Sequence, residues 1–219
     1  MIRHREIVAP NVTGPVHQHL FSYRLDFDVD GAAHNSVIEV ETERDARGPA
    51  NPAGNFFGTR ECVLATELNA VRDLNATVGR TWRVINRASR NTLGRPVGFA
   101  LMPAGNAFPA PSPDAPSRLT VGFVNAHLWV TPFQPAEMHA SGDYLPAGVR
   151  GGGLPAWTCA DRSVDDADIV LWYTLGLTHR VRPEDYPLMP VHTASFSLVP
   201  FGFFTENPAL DVAAPGAGR

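Results

Sequence analysis

The segment from His17 to Gly31 constrains the fold of this chain more than any other stretch. It reads HQHLFSYRLDFDVDG, and in an extended strand successive side chains point to opposite faces. One face then carries two histidines followed by apolar residues: His17, His19, Phe21, Tyr23, Leu25, Phe27 and Val29. The opposite face is mostly polar: Gln18, Ser22, Arg24, Asp26, Asp28 and Asp30. The pattern predicts a β-strand with imidazoles at its start and carboxylates at its end.

Prolines and glycines divide the rest of the chain into short extended runs. The 219 residues include 20 prolines and 19 glycines, which favours strands joined by turns over long helices. A stripe of leucines and valine predicts one short helix over 66–75. Further strands are expected over 36–43, 61–66, 81–86, 96–102, 119–131, 168–179 and 194–204. The length suits one all-β domain over residues 1–212, followed by a flexible tail over 213–219.

The net charge of the chain and the composition of its first residues exclude several classes of partner. The net charge is -4 and lysines and arginines do not cluster, so no nucleic-acid partner is expected. The first residues lack the apolar core of an export signal, and no run is long enough to span a bilayer. We therefore expect a cytoplasmic chain without a membrane partner.

Cys62 and Cys159 form no CxxC pair, which favours buried free thiols, with a disulfide as the alternative.

The histidine pair is the first candidate metal site. His17 and His19 are two residues apart on the strand, so both imidazoles point the same way and can bind one ion. His179 is the best third ligand because it ends the apolar strand DIVLWYTLGLTH. Three imidazoles with open positions suit copper(II) or zinc. The alternative, that these histidines are only packed or hydrogen-bonded, stays open at this point.

The carboxylates at the other end of the strand are a second candidate site. They do not form an EF-hand loop, because the twelfth position is valine instead of a bidentate glutamate. Asp26 and Asp28 could still bind a hard cation if Asp168 lay beside them, with the main-chain oxygens of Phe27 and Ile169 completing the shell. The alternative is a solvated acidic edge.

Five segments together resemble a known family. They are HQHLFSYRLDFDVDG, GRTWRVIN, LWVTPFQ, DIVLWYTLGLTHRVRPEDYPLMPVHT and LVPFGFFTENPALDV. In this order, from Glu6 to Val212, they resemble the C-terminal part of the catalytic domain of copper-containing primary amine oxidases. The resemblance implies a large twisted antiparallel β-sandwich, incomplete here at its N-terminal side, and normally a homodimer. The proline-rich stretch from Pro103 to Pro116 would then be a candidate for an arm between subunits.

The resemblance also implies which residues bind metals. The copper ligands would be His17, His19 and His179, and Met189 would lie near the copper without binding it. A second site for calcium or a similar divalent cation would be formed by Asp26, the Phe27 carbonyl, Asp28, Asp168 and the Ile169 carbonyl.

The reaction implied by the resemblance needs parts that we do not find in this sequence. The family oxidises primary amines with oxygen to aldehyde, ammonia and hydrogen peroxide, using topaquinone made from a tyrosine and an aspartate that removes a proton. That tyrosine lies in an Asn-Tyr-Asp/Glu motif well upstream of HQH, and only sixteen residues precede His17. The tyrosines here have other neighbours: Tyr23, Tyr144, Tyr173 and Tyr186. We therefore expect a chain with the copper ligands but without the topaquinone tyrosine or the catalytic aspartate.

Three hypotheses follow for the function. In the first, the chain is the copper-binding part of a primary-amine oxidase, either truncated or paired with an N-terminal amine oxidase fragment. In the second, it is a non-catalytic copper-binding remnant or partner module. A zinc hydrolase would need a general base near the metal that the sequence does not offer. In the first two cases we expect unpaired strand edges and exposed core surface.

Overall fold

A computed structural model describes residues 4–143 and 151–212 of the chain. Tyr144 and the expected tail over 213–219 lie outside the described residues. The described part contains ten strands. Their bounds are β1 Arg5–Ala9, β2 Val12–Pro15, β3 His17–Phe27, β4 Asn35–Arg44, β5 Phe57–Leu64, β6 Thr81–Arg90, β7 Pro96–Pro103, β8 Leu128–Pro132, β9 Ile169–His179 and β10 Phe196–Phe201.

The helical segments in the described part are short. Two are α-helical, α1 Pro116–Thr120 and α2 Leu154–Thr158. Four are 3-10 turns, at Ala76–Val78, Gly122–Asn125, Pro183–Asp185 and Pro208–Asp211. Among the described residues, no helix has the length and apolar character that a membrane crossing requires.

The strands form two larger antiparallel sheets and a separate hairpin. The first sheet has the order β10-β7-β6-β4-β5, the second has the order β3-β9-β8, and β1 pairs only with β2. The main core combines buried side chains of both larger sheets. Trp82 of β6 and Tyr173 of β9, for example, meet with ring centroids 6.3 Å apart. The predicted all-β sandwich is therefore confirmed.

Both faces of the three-stranded sheet are covered near β9. One face joins the core between the sheets, and the other packs Trp172 of β9 and Trp129 of β8 against Leu154 of α2. The first eight residues of β9 are consequently all buried. This explains why β9 reads as an almost continuous apolar run instead of an alternating one.

The predicted helix over 66–75 is wrong. Ala70 N does donate to Thr66 O at 2.9 Å, but the next residues leave the helical path because Arg72 and Leu128 exchange backbone hydrogen bonds of 2.9 and 2.8 Å. Leu68, part of the expected apolar stripe, is exposed. Lateral pairing with β8 therefore overrides the local helical pattern.

Three further expectations need correction. Of the segment 119–131 only the last four residues belong to a strand, β8, because Pro116 begins α1 and a 3-10 turn follows. Strand β3 ends at Phe27 instead of Gly31, where the chain turns through Asp30 and Gly31 with positive φ. Both cysteines are free, as predicted, but they are exposed instead of buried.

The apolar face of β3 is buried at one end only. Phe27 and Val29 lie in the core, whereas Phe21 is 50% and Tyr23 41% exposed. Leu198 and Val199 of β10 are also exposed. The described residues thus leave part of the predicted apolar face of the sandwich exposed.

Candidate metal centre

The pairing of β3 with β9 brings the three predicted histidines together. His17 lies directly opposite His179 in the antiparallel register, and His19 lies opposite Leu177. Opposed residues and residues two apart share one face of the sheet. The ring centroid of His17 is therefore 4.7 Å from that of His19 and 4.9 Å from that of His179.

The nitrogens of these rings are close enough to bind one ion. One nitrogen from each of His17, His19 and His179 lies within 4.8 Å of the others. Among the residues that the structure describes, this is the one group of three or more potential ligand side chains with such spacing. Small inward shifts would bring the three atoms to the distance of about 2 Å found for metal–imidazole bonds.

Hydrogen bonds decide which nitrogen of each ring is available. His179 is buried, and its Nε2–H donates to Asp185 Oδ2 at 2.8 Å. Its Nδ1 is buried without a partner. In His17 it is Nδ1–H that donates, to Pro15 O at 3.0 Å, because a carbonyl oxygen can only accept. Nδ1 of His179 and Nε2 of His17 are thus free to bind a metal.

Asp185 is a site residue that sequence reasoning missed. It ends the 3-10 turn Pro183–Asp185, its side chain is buried, and Oδ2 also accepts from Arg182 N at 3.0 Å. The hydrogen bond from His179 is the main cause that lowers the pKa of Asp185, against the opposing effect of burial. An ionised carboxylate at this point keeps the proton on Nε2 of His179 and orients the ring. The only signal in the sequence was an acidic residue shortly after GLTH.

His192 is a further neighbour of His179 in the fold. The ring of His192, which the sequence did not indicate, lies 5.2 Å from that of His179. Met189, expected near the copper, follows Asp185 closely in the chain, and its side chain is about half exposed. Its position beside a bound ion remains a prediction.

The glycine of GLTH allows a close approach to β9. A Cβ on Gly176 would lie 2.7 Å from Leu20 Cδ2 and 2.9 Å from Ala107 O. The absent side chain lets Ala107 N donate to Gly176 O at 3.1 Å. This contact supports β9 just before His179, beyond the end of its pairing with β8.

The carboxylates at the other end of the β3–β9 pair form a looser group. Phe27 lies opposite Ile169, which brings Asp26 and Asp28 near Asp168. Burial raises the pKa of Asp168, and the charges of Asp26 and Asp28 raise it further. Arg24 opposes this effect, and its Nη1 donates to Asp26 Oδ2 at 2.9 Å. The charges of Asp26 and Asp28 thus act on Asp168, although the three carboxylates are less tightly grouped than the histidines.

Comparison with known proteins identifies the family. The copper amine oxidase enzyme domain matches residues 2–217 of the chain. This chain belongs to the copper amine oxidase family. It is 46% identical over 212 residues to a histamine oxidase of Arthrobacter globiformis, covering 97% of this chain and 31% of that protein. It is 39% identical over 214 residues to a peroxisomal copper-containing diamine oxidase of Nicotiana tabacum, covering 96% of this chain and 27% of that protein.

The fold agrees with solved copper amine oxidases. The crystal structure of a copper-containing benzylamine oxidase from Hansenula polymorpha superimposes with a TM-score of 0.90 at 30% identity. The match covers 97% of this chain and 34% of that one. The chain thus spans about a third of the length of the relatives it matches.

The donor set fits the copper implied by the family. Neutral imidazoles suit copper(II), and the buried, partnerless Nδ1 of His179 is an atom for which a metal would be a natural partner. His19 is exposed and His17 is partly so. The three rings can therefore bind an ion while leaving one side of it accessible, as a catalytic metal requires.

Proposed function

We propose that this chain is the copper-binding part of a primary-amine oxidase, which converts primary amines and oxygen to aldehyde, ammonia and hydrogen peroxide. The proposal is supported above all by the convergence of three imidazoles from two distant strands, one of them with a buried free nitrogen. Copper, when bound, supplies redox chemistry with oxygen. His17 and His19 bind it from β3 and His179 from β9, while Asp185 keeps the proton on the far nitrogen of His179.

A second cation belongs to the same proposal. Calcium or a similar divalent ion would be held by Asp26, Asp28 and Asp168 with the carbonyl oxygens of Phe27 and Ile169. The like charges that raise the pKa of Asp168 support this, because a cation between the carboxylates would relieve their repulsion. Calcium should then raise the melting temperature of the chain, and Asp168→Asn should abolish the increase. An equal increase in the variant would contradict this site.

We further propose that the topaquinone tyrosine and the proton-abstracting aspartate come from sequence outside this chain. The share of the relatives that the chain spans supports this division. The exposed apolar side chains on β3 and β10, such as Phe21 and Leu198, are consistent with an N-terminal amine oxidase fragment or a second subunit packing there.

Copper binding tests the first part of the proposal. The purified chain should bind one copper(II) per molecule, with an electron paramagnetic resonance spectrum that shows nitrogen ligands. His179→Ala should abolish this binding. His139→Ala, which removes an exposed imidazole outside the group, is the matched control and should bind copper like the parent chain. Equal binding by both variants would contradict the site.

Complementation tests the catalytic part. The chain alone should show no quinone absorbance. Co-expression with the part of the Arthrobacter histamine oxidase that precedes the matched region should restore the quinone colour and amine-dependent peroxide formation. If copper binds but complementation fails, the alternative of a non-catalytic copper-binding remnant is favoured.

A further inference from the structure

Buried polar atoms without partners concentrate at one place outside the copper site. Six such side-chain atoms occur among the described residues, and one of them is Nδ1 of His179. Four of the other five lie on the opposite face of the same sheet: Ser22 Oγ, Arg24 Nη2, His127 Nε2 and Thr174 Oγ1. Native proteins rarely leave buried polar atoms unbonded, so those of Ser22, Thr174 and His127, which strand pairing brings together, need a common explanation.

Three of these residues form a row across the three strands of the sheet. Ser22 of β3 lies opposite Thr174 of β9. Thr174 N donates to the main-chain oxygen of His127 at 2.8 Å, which puts His127, the residue before β8, on the other side of Thr174. Directly opposed residues share a face, with Cβ atoms about 4.5–5.5 Å apart. Arg24 lies on the same face, two residues further along β3, but its guanidinium group contacts Asp26 and Glu137 O instead of the row.

The unbonded polar atoms of the row are buried, although Ser22 as a whole residue is half-buried. Thr174 is 2% and His127 3% exposed. Phe108 covers the imidazole of His127, with ring centroids 4.5 Å apart and the rings nearly perpendicular. Gln18 holds this cover in place, because its Nε2 donates to Phe108 O at 2.9 Å.

The hydrogen-bonding roles of the row suit water. His127 Nδ1–H donates to Asp73 Oδ1 at 2.8 Å, so Nε2 of the neutral ring is an acceptor. The hydroxyls of Ser22 and Thr174 can donate or accept. Hydroxyls directly opposed on neighbouring strands can bond each other, but these two do not.

We propose that Ser22, Thr174 and His127 bind at least one internal water molecule. A water bonded to these atoms would have the two to four polar partners that buried waters require. An anion is disfavoured, because the guanidinium of Arg24 is already paired with Asp26 and also acts on the carboxylate of Asp168. The water would connect all three strands between the histidine end and the carboxylate end of the β3–β9 pair.

Oxygen-17 magnetic relaxation dispersion, which counts long-lived internal waters, tests the proposal on the full chain. Thr174→Val and Ser22→Ala should each lose the same water, so that the double variant loses no more than either single one. Thr158→Val is the matched control at another buried threonine, because its hydroxyl already donates to Leu154 O at 2.8 Å and its removal should leave the count unchanged. An unchanged count in Thr174→Val overturns the proposal.

A crystal structure of the unmodified chain gives a second test that does not depend on the variants folding. We expect a water peak within about 3.2 Å of Thr174 Oγ1 and His127 Nε2. A direct hydrogen bond between Ser22 and Thr174 with no such peak would overturn the proposal. So would an anomalous bromide signal at the same position after a bromide soak, because it would indicate an anion site.

Discussion

Replacing Asp185 by asparagine should weaken copper binding although none of the three copper ligands is itself replaced. The carboxylate of Asp185 accepts the Nε2 proton of His179 at 2.8 Å, and both side chains are buried. An asparagine amide can present its own N–H to Nε2, which would move the ring proton to Nδ1, the atom that has to bind the metal. Substitutions of such outer partners typically cost 10–100-fold in metal affinity. We therefore expect a copper dissociation constant about 10–100-fold higher, or about 1.4–2.7 kcal/mol.

The measurement is a competition titration of copper(II) against a chelator of known affinity at neutral pH. Glu184→Gln is the matched control, because it removes the same charge from the exposed neighbouring residue in the same 3-10 turn. Urea unfolding of both variants without metal shows whether the turn still folds. If Asp185→Asn binds copper like the parent chain, or if Glu184→Gln weakens binding equally, the carboxylate does not act through the tautomer of His179 and the reasoning is refuted.

Three predictions concern the stability of the fold. The hydrogen bond from Arg80 is the main cause of the lowered pKa of Glu41. The ionised carboxylate therefore stabilises the fold at pH values above the ordinary pKa of glutamate, and this stabilisation is lost as the pH falls through the lowered pKa. Glu41→Gln should therefore reduce the loss of stability in urea unfolding between about pH 5 and pH 3; an unaltered pH dependence would refute this. Leu128 is fully buried between the sheets, and Leu128→Ala should cost about 2–5 kcal/mol in the same assay. Arg162 pairs with the fully buried Glu67 at 2.6 Å, so Arg162→Met should cost about 3–5 kcal/mol by leaving an unpaired charge, and adding Glu67→Gln should recover part of that loss.

Those metal ligands whose placement follows from the two-residue period of a strand were predictable from the sequence. His17 and His19 share a face because the pleat has a period of two, and His179 was recognisable as the end of an apolar strand. The pairing of His17 with His179, in contrast, is a long-range register that depends on the packing of both strands against the rest of the sandwich. Sequence reasoning could propose the third ligand, but only the fold shows that it lies directly opposite the first.

The misses have a common physical cause. The segment 66–75 has helical spacing of its apolar residues, but hydrogen bonds between Arg72 and Leu128, distant in sequence, outweigh it. Asp185 and His192 approach His179 through a chain reversal that no local pattern encodes. Patterns of period two or 3.6 report which face a residue occupies, whereas these contacts depend on how the chain folds back on itself, from a distant segment for Leu128 and from only six residues away for Asp185.

The histidines, the carboxylates and the buried polar row all depend on one register. A slip of one residue between β3 and β9 would put Gln18 opposite His179, and the side chain of Gln18 points to the other face. The same slip would separate Phe27 from Ile169 and Ser22 from Thr174. Because a ligand bound at any of the three places stabilises only the native register, binding at one must favour binding at the others wherever the strands can shift. Copper and calcium should therefore stabilise the chain against the same local opening of the β3–β9 pair.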